Sequence, residues 1–265
     1  MGFGGCVFRN RSTGPGIYLP GIVLLSLSLA TQPSSAEGVI VDLGPDEKIV
    51  VEQHVANIKL DGKLDEPVWQ GLSAYDELVV IEPDTLALPP YRTRVRLFYD
   101  ESGLYVGVDM EQPKETLVAR LSGRDSRHIN RDNINITLDT SGDGRYGYWF
   151  GINLGGSLMD GTLLPERQFS SDWDGAWRGE SAESANGWTA EFHIPWGTVS
   201  MPTTDEVRRI GFYISRKVAH LDERWGWPAL PSTVPKFISA MQSIEVSGVN
   251  PRQQYSVFPF AAVAD

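Results

Sequence analysis

From Val39 onward, apolar residues recur mainly at every second position, in short runs separated by Gly, Pro, Asp and Ser. Successive side chains of a strand point to opposite faces, so this alternation predicts sheets with one face buried. The predicted strands are 49–51, 58–60, 78–81, 92–99, 104–109, 117–121, 134–139, 146–153, 158–163, 176–181, 188–194, 210–218 and 244–246. Asp65-Glu66-Pro67-Val68-Trp69-Gln70 reads as one or two helical turns, with Asp65 as N-cap and Pro67 in the first turn. The fold class that follows is all-β: an antiparallel, jelly-roll-like β-sandwich with a short helix near its start.

Two long connections, 122–133 and 165–176, are rich in charged or aromatic residues, and long loops on a rigid scaffold are where binding usually resides. There is no internal repeat and no low-complexity linker. At the N-terminus, Arg9 and Arg11 precede an apolar run over 17–30 that Pro20 and Gly21 interrupt, and Ser34-Ser35-Ala36 offers small residues for cleavage. A signal peptide over 1–36 is predicted, because the run is shorter than the ~20 apolar residues a membrane span needs. The sandwich then occupies 37–247, and 248–265 is expected to be a linker or the first strand of a truncated C-terminal domain, since Tyr255-Ser256-Val257-Phe258-Pro259-Phe260 is again apolar.

Cys6, the single cysteine, lies in the predicted leader, so the exported chain contains no thiol and draws its stability from its core. The expected location is periplasmic, outer-membrane-associated or extracellular. The net charge of −11, or −13 without Arg9 and Arg11, and the lack of any Lys/Arg-rich run exclude nucleic acid as a partner.

Three blocks resemble family 9 carbohydrate-binding modules. Ile58-Lys59-Leu60-Asp61-Gly62-Lys63-Leu64-Asp65-Glu66-Pro67-Val68-Trp69 is similar to the family's opening strand, turn and tryptophan. Residues 95–100 with 103–108 resemble its central hairpin, and Gly187-Trp188 through Pro195-Trp196 its late strand. Tyr148-Trp149-Phe150-Gly151 onward, with Asp160 and Asp172-Trp173-Asp174-Gly175-Ala176-Trp177, resembles the subgroup in which this module precedes a predicted outer-membrane barrel. The resemblance implies a non-catalytic module that binds poly- or oligosaccharide of the xylan or cellulose type, in association with glycoside hydrolases. Its alternative is an accessory domain of an outer-membrane barrel with protein contacts instead of sugar. The family's two sugar-clamping tryptophans fall near Ile129 and between Pro231 and Val234, where no aromatic residue stands.

A sugar ring offers flat C–H faces and a rim of hydroxyls, so its site needs exposed aromatic planes beside polar side chains. Trp69, Trp188 and Trp196 lie in the family blocks and read as core, whereas Trp173, Trp177, Trp225 and Trp227 are the candidates for an exposed platform. Aromatic anchors packed on the sandwich edge account for these four equally well. Trp149 sits between Tyr148 and Phe150, and its face stays open. Arg92, Arg94 and Arg96 share one strand face, where Arg94 and Arg96 could grip sugar hydroxyls or uronate carboxylates; pairing with nearby Asp and Glu is the plainer account. Arg124, Arg127 and Arg131 raise the same choice.

Asp139, Ser141 and Asp143 have the spacing of the first half of a calcium loop, and the family resemblance implies structural calcium as an option. Phe150 stands at the twelfth position where such a loop needs Glu, so a plain Asp-Gly turn competes. No nucleophile elbow, zinc-binding helix or phosphate loop is present, and His54, His128, His193 and His220 are scattered. Any enzymatic reading would be a hydrolase of O-glycosyl bonds, and no carboxylate pair can be selected for it among 34 acidic residues.

Overall fold

In a computed structural model, residues 48–126, 129–165, 167–202 and 207–249 are described. The predicted leader over 1–36 and the tail from Asn250 lie outside them, as do Arg127 and His128.

Among the described residues, fourteen strands are arranged in two sheets. In chain order they are β1 (Ile49–Val50), β2 (Glu52–Gln53), β3 (Val79–Glu82), β4 (Thr93–Tyr99), β5 (Gly103–Glu111), β6 (Asn133–Asp139), β7 (Gly147–Asn153), β8 (Leu158–Leu164), β9 (Gln168–Ser170), β10 (Arg178–Glu183), β11 (Gly187–Pro195), β12 (Arg208–Val218), β13 (Glu223–Trp227) and β14 (Gln242–Val246). The larger sheet runs β1-β14-β12-β6-β7-β8-β9, with β13 and β3 added beside β12; the smaller runs β10-β11-β5-β4-β2. Most pairs are antiparallel, as the sequence predicts for the sandwich, while the N-terminal strands add two parallel pairs, β1 with β14 and β2 with β4. β1 and β2 are each only two residues long, and the chain crosses from the large sheet to the small one between them at Val51, whose N–H donates to the Glu245 carbonyl at 3.0 Å.

Two predicted strands do not form, and for the same reason. Around 58–60, the Lys59 N–H donates to Glu66 Oε1 at 3.1 Å, and around 117–121 the Val118 N–H donates to Asp132 Oδ2 at 2.8 Å. Side-chain carboxylates take the backbone donors that a ladder would have used. The helix α1 (Pro67–Gly71) begins one residue later than predicted, with Glu66 and not Asp65 at the N-cap position and no side-chain cap. Three strands escaped the pattern: β2, β9 and β13.

The inner faces of both sheets form the main core, in which Val95, Leu97, Val106 and Val108 meet Ile134, Ile136, Phe150, Ile152, Phe212 and Ile214. Trp188 and Trp196 belong to it, as the sequence predicts. Trp69 is 1% exposed but packs on the outer face of the small sheet, with Leu72, Phe98 and Tyr105. A Cβ at Gly107 would lie 2.9 Å from the Trp69 ring, so a glycine is what lets the indole lie flat on the sheet. The two sheets are tied by Arg216 of β12, which donates to Thr93 Oγ1 at 2.9 Å, Gln112 Oε1 at 2.9 Å and the Glu111 carbonyl at 2.8 Å. Burial pulls its pKa down to about 9.

Candidate functional site

The larger sheet presents its even-numbered positions to the core along β6, β7 and the buried half of β12, so the odd positions line its outer face. There they floor a groove of about 330 Å³ with Asn133, Asn135, Thr137, Trp149, Met159, Tyr213 and Ser215. Its walls come from Ile81, Glu82 and Arg224 on β3 and β13, from Arg167 and Phe169 on the β8–β9 hairpin, and from Leu230, Ser232 and Phe237. The volume lies within the range of small-molecule sites.

Glycine makes the floor. A Cβ on Gly151 would run into the side-chain oxygen of Asn135, and one on Gly226 would sit 2.7 Å from the Tyr213 hydroxyl. The hairpin is held over the sheet by the Trp149 indole N–H, which donates to the Ser170 carbonyl at 3.0 Å. Arg167 fastens the opposite wall: its Nη2 donates to the carbonyls of Leu230 at 3.1 Å, Pro231 at 2.6 Å and Val234 at 3.3 Å, and its guanidinium lies 4.4 Å over the Phe237 ring. Beneath that wall, Ile81, Leu163, Tyr213, Leu230, Phe237 and Ile238 form a second apolar cluster.

The polar atoms are ordered as well. Asn135 Nδ2 donates to Asn133 Oδ1 at 2.8 Å, aligning two amides side by side. Arg224 Nε donates to Glu82 Oε2 at 3.2 Å across neighbouring strands. Burial pushes the Tyr213 phenol up to about 12 although both Arg224 and Arg167 act to lower it, so it is a neutral hydroxyl at any ordinary pH. Apolar ring faces beside amides, hydroxyls and guanidinium groups suit a hydroxylated ring compound. Glu82 is the single carboxylate among the described lining residues, so the facing pair that glycoside hydrolysis uses is not assembled there.

None of the four candidate tryptophans forms an exposed platform. Trp177, Trp225 and Trp227 are 5%, 0% and 4% exposed and belong to the main core. Trp177 stacks on Phe192 at 5.7 Å and donates to Asp160 Oδ2 at 3.1 Å; Trp225 lies under the Arg216 guanidinium at 4.9 Å; Trp227 stacks on Tyr75 at 5.8 Å. Trp173 is half-buried, tilted against Tyr148 at 4.9 Å. The misreading has a physical origin: Trp225 and Trp227 are two apart on a strand, β13, and so share its inward face.

Arg94 and Arg96 lie on the outer face of the small sheet, away from the groove. Arg94 pairs with Asp109 at 3.1 Å and Glu111 at 2.7 Å, while Arg92 pairs with Asp76 at 2.5 Å. Arg96 is half-buried beside Asp109, and burial holds its pKa below the ordinary arginine value. Asp139 Oδ1 accepts the N–H groups of Ser141 at 3.1 Å and Gly142 at 3.0 Å and the Ser141 hydroxyl at 2.7 Å, and Oδ2 accepts the Gly144 N–H at 2.7 Å. That carboxylate closes its own turn, and the Ser141 Oγ also lies 2.6 Å from Asp143 Oδ1, so its one proton serves one of the two carboxylates at a time. Asp125, Asp160 and Asp174 bring carboxylate oxygens together elsewhere, but Arg124 bonds Asp160 at 2.7 Å and Asp174 at 3.0 Å and supplies the positive charge itself.

The groove was partly legible. Trp149 was the one tryptophan whose face stayed open, and Arg167 and Phe169 lie in the long connection flagged at 165–176. Asn133, Asn135 and Thr137 at odd positions, opposite an all-apolar even register, are the sequence signal of the groove's polar floor. Ser232 of the wall falls in the stretch where the family's second clamping tryptophan was placed.

No protein-family model matches the chain, and no curated protein matches it in sequence. Solved structures do. A family 9 carbohydrate-binding module from Caldicellulosiruptor kristjanssonii, in complex with cellotriose, superposes with a TM-score of 0.53 at 13% identity over 82% of this chain and 100% of that one. The same family in complex with glucose matches with a TM-score of 0.53 and 13% identity, over 80% of this chain and 100% of that one. A protein from Bacteroides uniformis, provisionally assigned as carbohydrate-binding, gives a TM-score of 0.59 at 13% identity over 75% of this chain and 98% of the other. With two mixed sheets, one short helix and these matches, the chain has the β-sandwich fold of family 9 carbohydrate-binding modules.

Proposed function

We propose that the chain is a carbohydrate-binding module whose ligand lies in the groove on the outer face of the large sheet. The observation that carries this is the groove itself: the exposed Phe169 ring beside the Asn133–Asn135 amide pair, Ser215 and two arginines, over a floor that includes the buried Trp149, within about 330 Å³. The ring faces take the C–H planes of a sugar, and the amides and guanidinium groups take its hydroxyls. The fold likeness to modules solved with cellotriose and glucose supports the same ligand class. Export, prompted by Arg9, Arg11 and Ser34-Ser35-Ala36, and a role in polysaccharide breakdown belong to this proposal.

The test is calorimetric titration of the purified chain with glucose, cello- and xylo-oligosaccharides and oligogalacturonates. Saturable binding is expected, weakened about tenfold or more by Phe169→Ala. Phe169 is 42% exposed, so its truncation spares the core. Silence from the folded wild-type protein across neutral and acidic saccharides would sink the proposal.

A further inference from the structure

The groove's charge runs against that of the molecule around it. The chain carries 34 acidic and 23 basic residues, yet the described charged groups that line the groove are Arg167 and Arg224 against Glu82 alone. Arg224 is bonded to Glu82 through Nε, and among the described residues its two Nη groups carry no hydrogen bond. Arg167 is held by neutral carbonyls, which orient its guanidinium without cancelling its charge, and its buried Nε meets no acceptor there. Tyr213, on the floor between them, feels both guanidinium groups, opposed by Glu82.

A neutral sugar needs no such excess. Excess positive charge in a half-enclosed pocket attracts an anion, and a planar guanidinium fork matches a planar carboxylate. We infer that the preferred ligand is an acidic oligosaccharide, with the carboxylate of a uronic acid residue against Arg224 and Arg167 and its ring against Phe169. This inference rests on the carbohydrate-binding reading and narrows its substrate class.

The experiment titrates the purified chain with trigalacturonate, with the same trisaccharide after reduction of its carboxyl groups to alcohols, and with cellotriose, at low and high salt. The acidic sugar is expected to bind about tenfold or more tightly than its reduced form, with a preference that shrinks as salt rises. Arg224→Gln should lower the acidic-to-neutral affinity ratio about tenfold, and Glu82→Gln, which removes the competing anion, should raise it about threefold. A gain on Glu82→Gln cannot come from damage to the fold. Equal affinity for the acidic and reduced forms, or a ratio that neither variant moves, would overturn the acidic preference and leave carbohydrate binding standing. Absence of binding to all three sugars would remove both.

Discussion

Glu191, on strand β11 of the small sheet between β10 and β5, accepts the Trp69 indole N–H at 3.1 Å through Oε1 and the backbone N–H groups of Asp61 and Gly62 at 3.0 and 2.9 Å through Oε2. One carboxylate thus fastens the N-terminal segment to the outside of the sheet, at the turn where Gly62 adopts a φ of +81°. Glu191→Ala would leave these donors buried without partners. A loss of roughly 3 kcal/mol in unfolding free energy is expected, measured by urea denaturation. An unchanged midpoint would show that the segment is held by packing alone.

The same residue makes stability depend on pH. Burial raises the Glu191 pKa from 4.5 to about 7 in the folded protein. The folded state therefore holds this proton more tightly than the unfolded chain, and the associated stability is full below 4.5 and is lost as pH rises through about 7. Unfolding measured at intervals between pH 4.5 and 7.5 should show this fall in the wild type, and Glu191→Gln, which has no proton to lose, should flatten it. Parallel curves for the two proteins would refute the assignment.

Arg216 joins the sheets through charge-assisted hydrogen bonds to acceptors on and beside β4 and β5. Arg216→Met keeps the apolar stem but strips donors from the Glu111 carbonyl, Thr93 and Gln112. A destabilisation of roughly 3 kcal/mol is expected by denaturant unfolding, and a value near zero would mean that the sheets are held by their apolar faces only.

In the groove, Gly151→Ala pushes a methyl group against the Asn135 amide, a side chain that can swing aside. Stability should fall by only roughly 1 kcal/mol, while sugar affinity drops because the amide pair is broken. Full affinity in this variant would place the ligand elsewhere.

Trp177→Ala removes a ring 5% exposed between Phe150 and Phe192, and a cost of roughly 3–5 kcal/mol is expected in thermal or denaturant unfolding. A binding defect without destabilisation would instead restore the exposed-platform reading of this residue.

How much of this could be read from the chain depended on local period. Strands such as β6, β7 and β11 alternate or run apolar over seven to nine residues, and their positions followed. β9 and β13 did not, since Arg167-Gln168-Phe169 and Glu223-Arg224-Trp225-Gly226-Trp227 mix charge, glycine and aromatics and are ordered by long-range partners: Trp149 for the first, β12 and β3 for the second. The site suffered most, because its residues come from β3, β6, β7, β12, β13 and a hairpin, and no contiguous motif gathers them. Tryptophan content pointed to aromatics in general, but burial selected among them.

The strands that build the groove also build the core, one register apart. Along β6, Asn133, Asn135 and Thr137 face outward while Ile134, Ile136 and Leu138 face in. A change of ligand preference can therefore be written in odd positions without disturbing the even ones, and a single inserted residue would turn the molecule inside out along that strand. The strand tolerates substitution at its outward positions and forbids slippage, and that combination lets the groove be re-lettered while the core is kept.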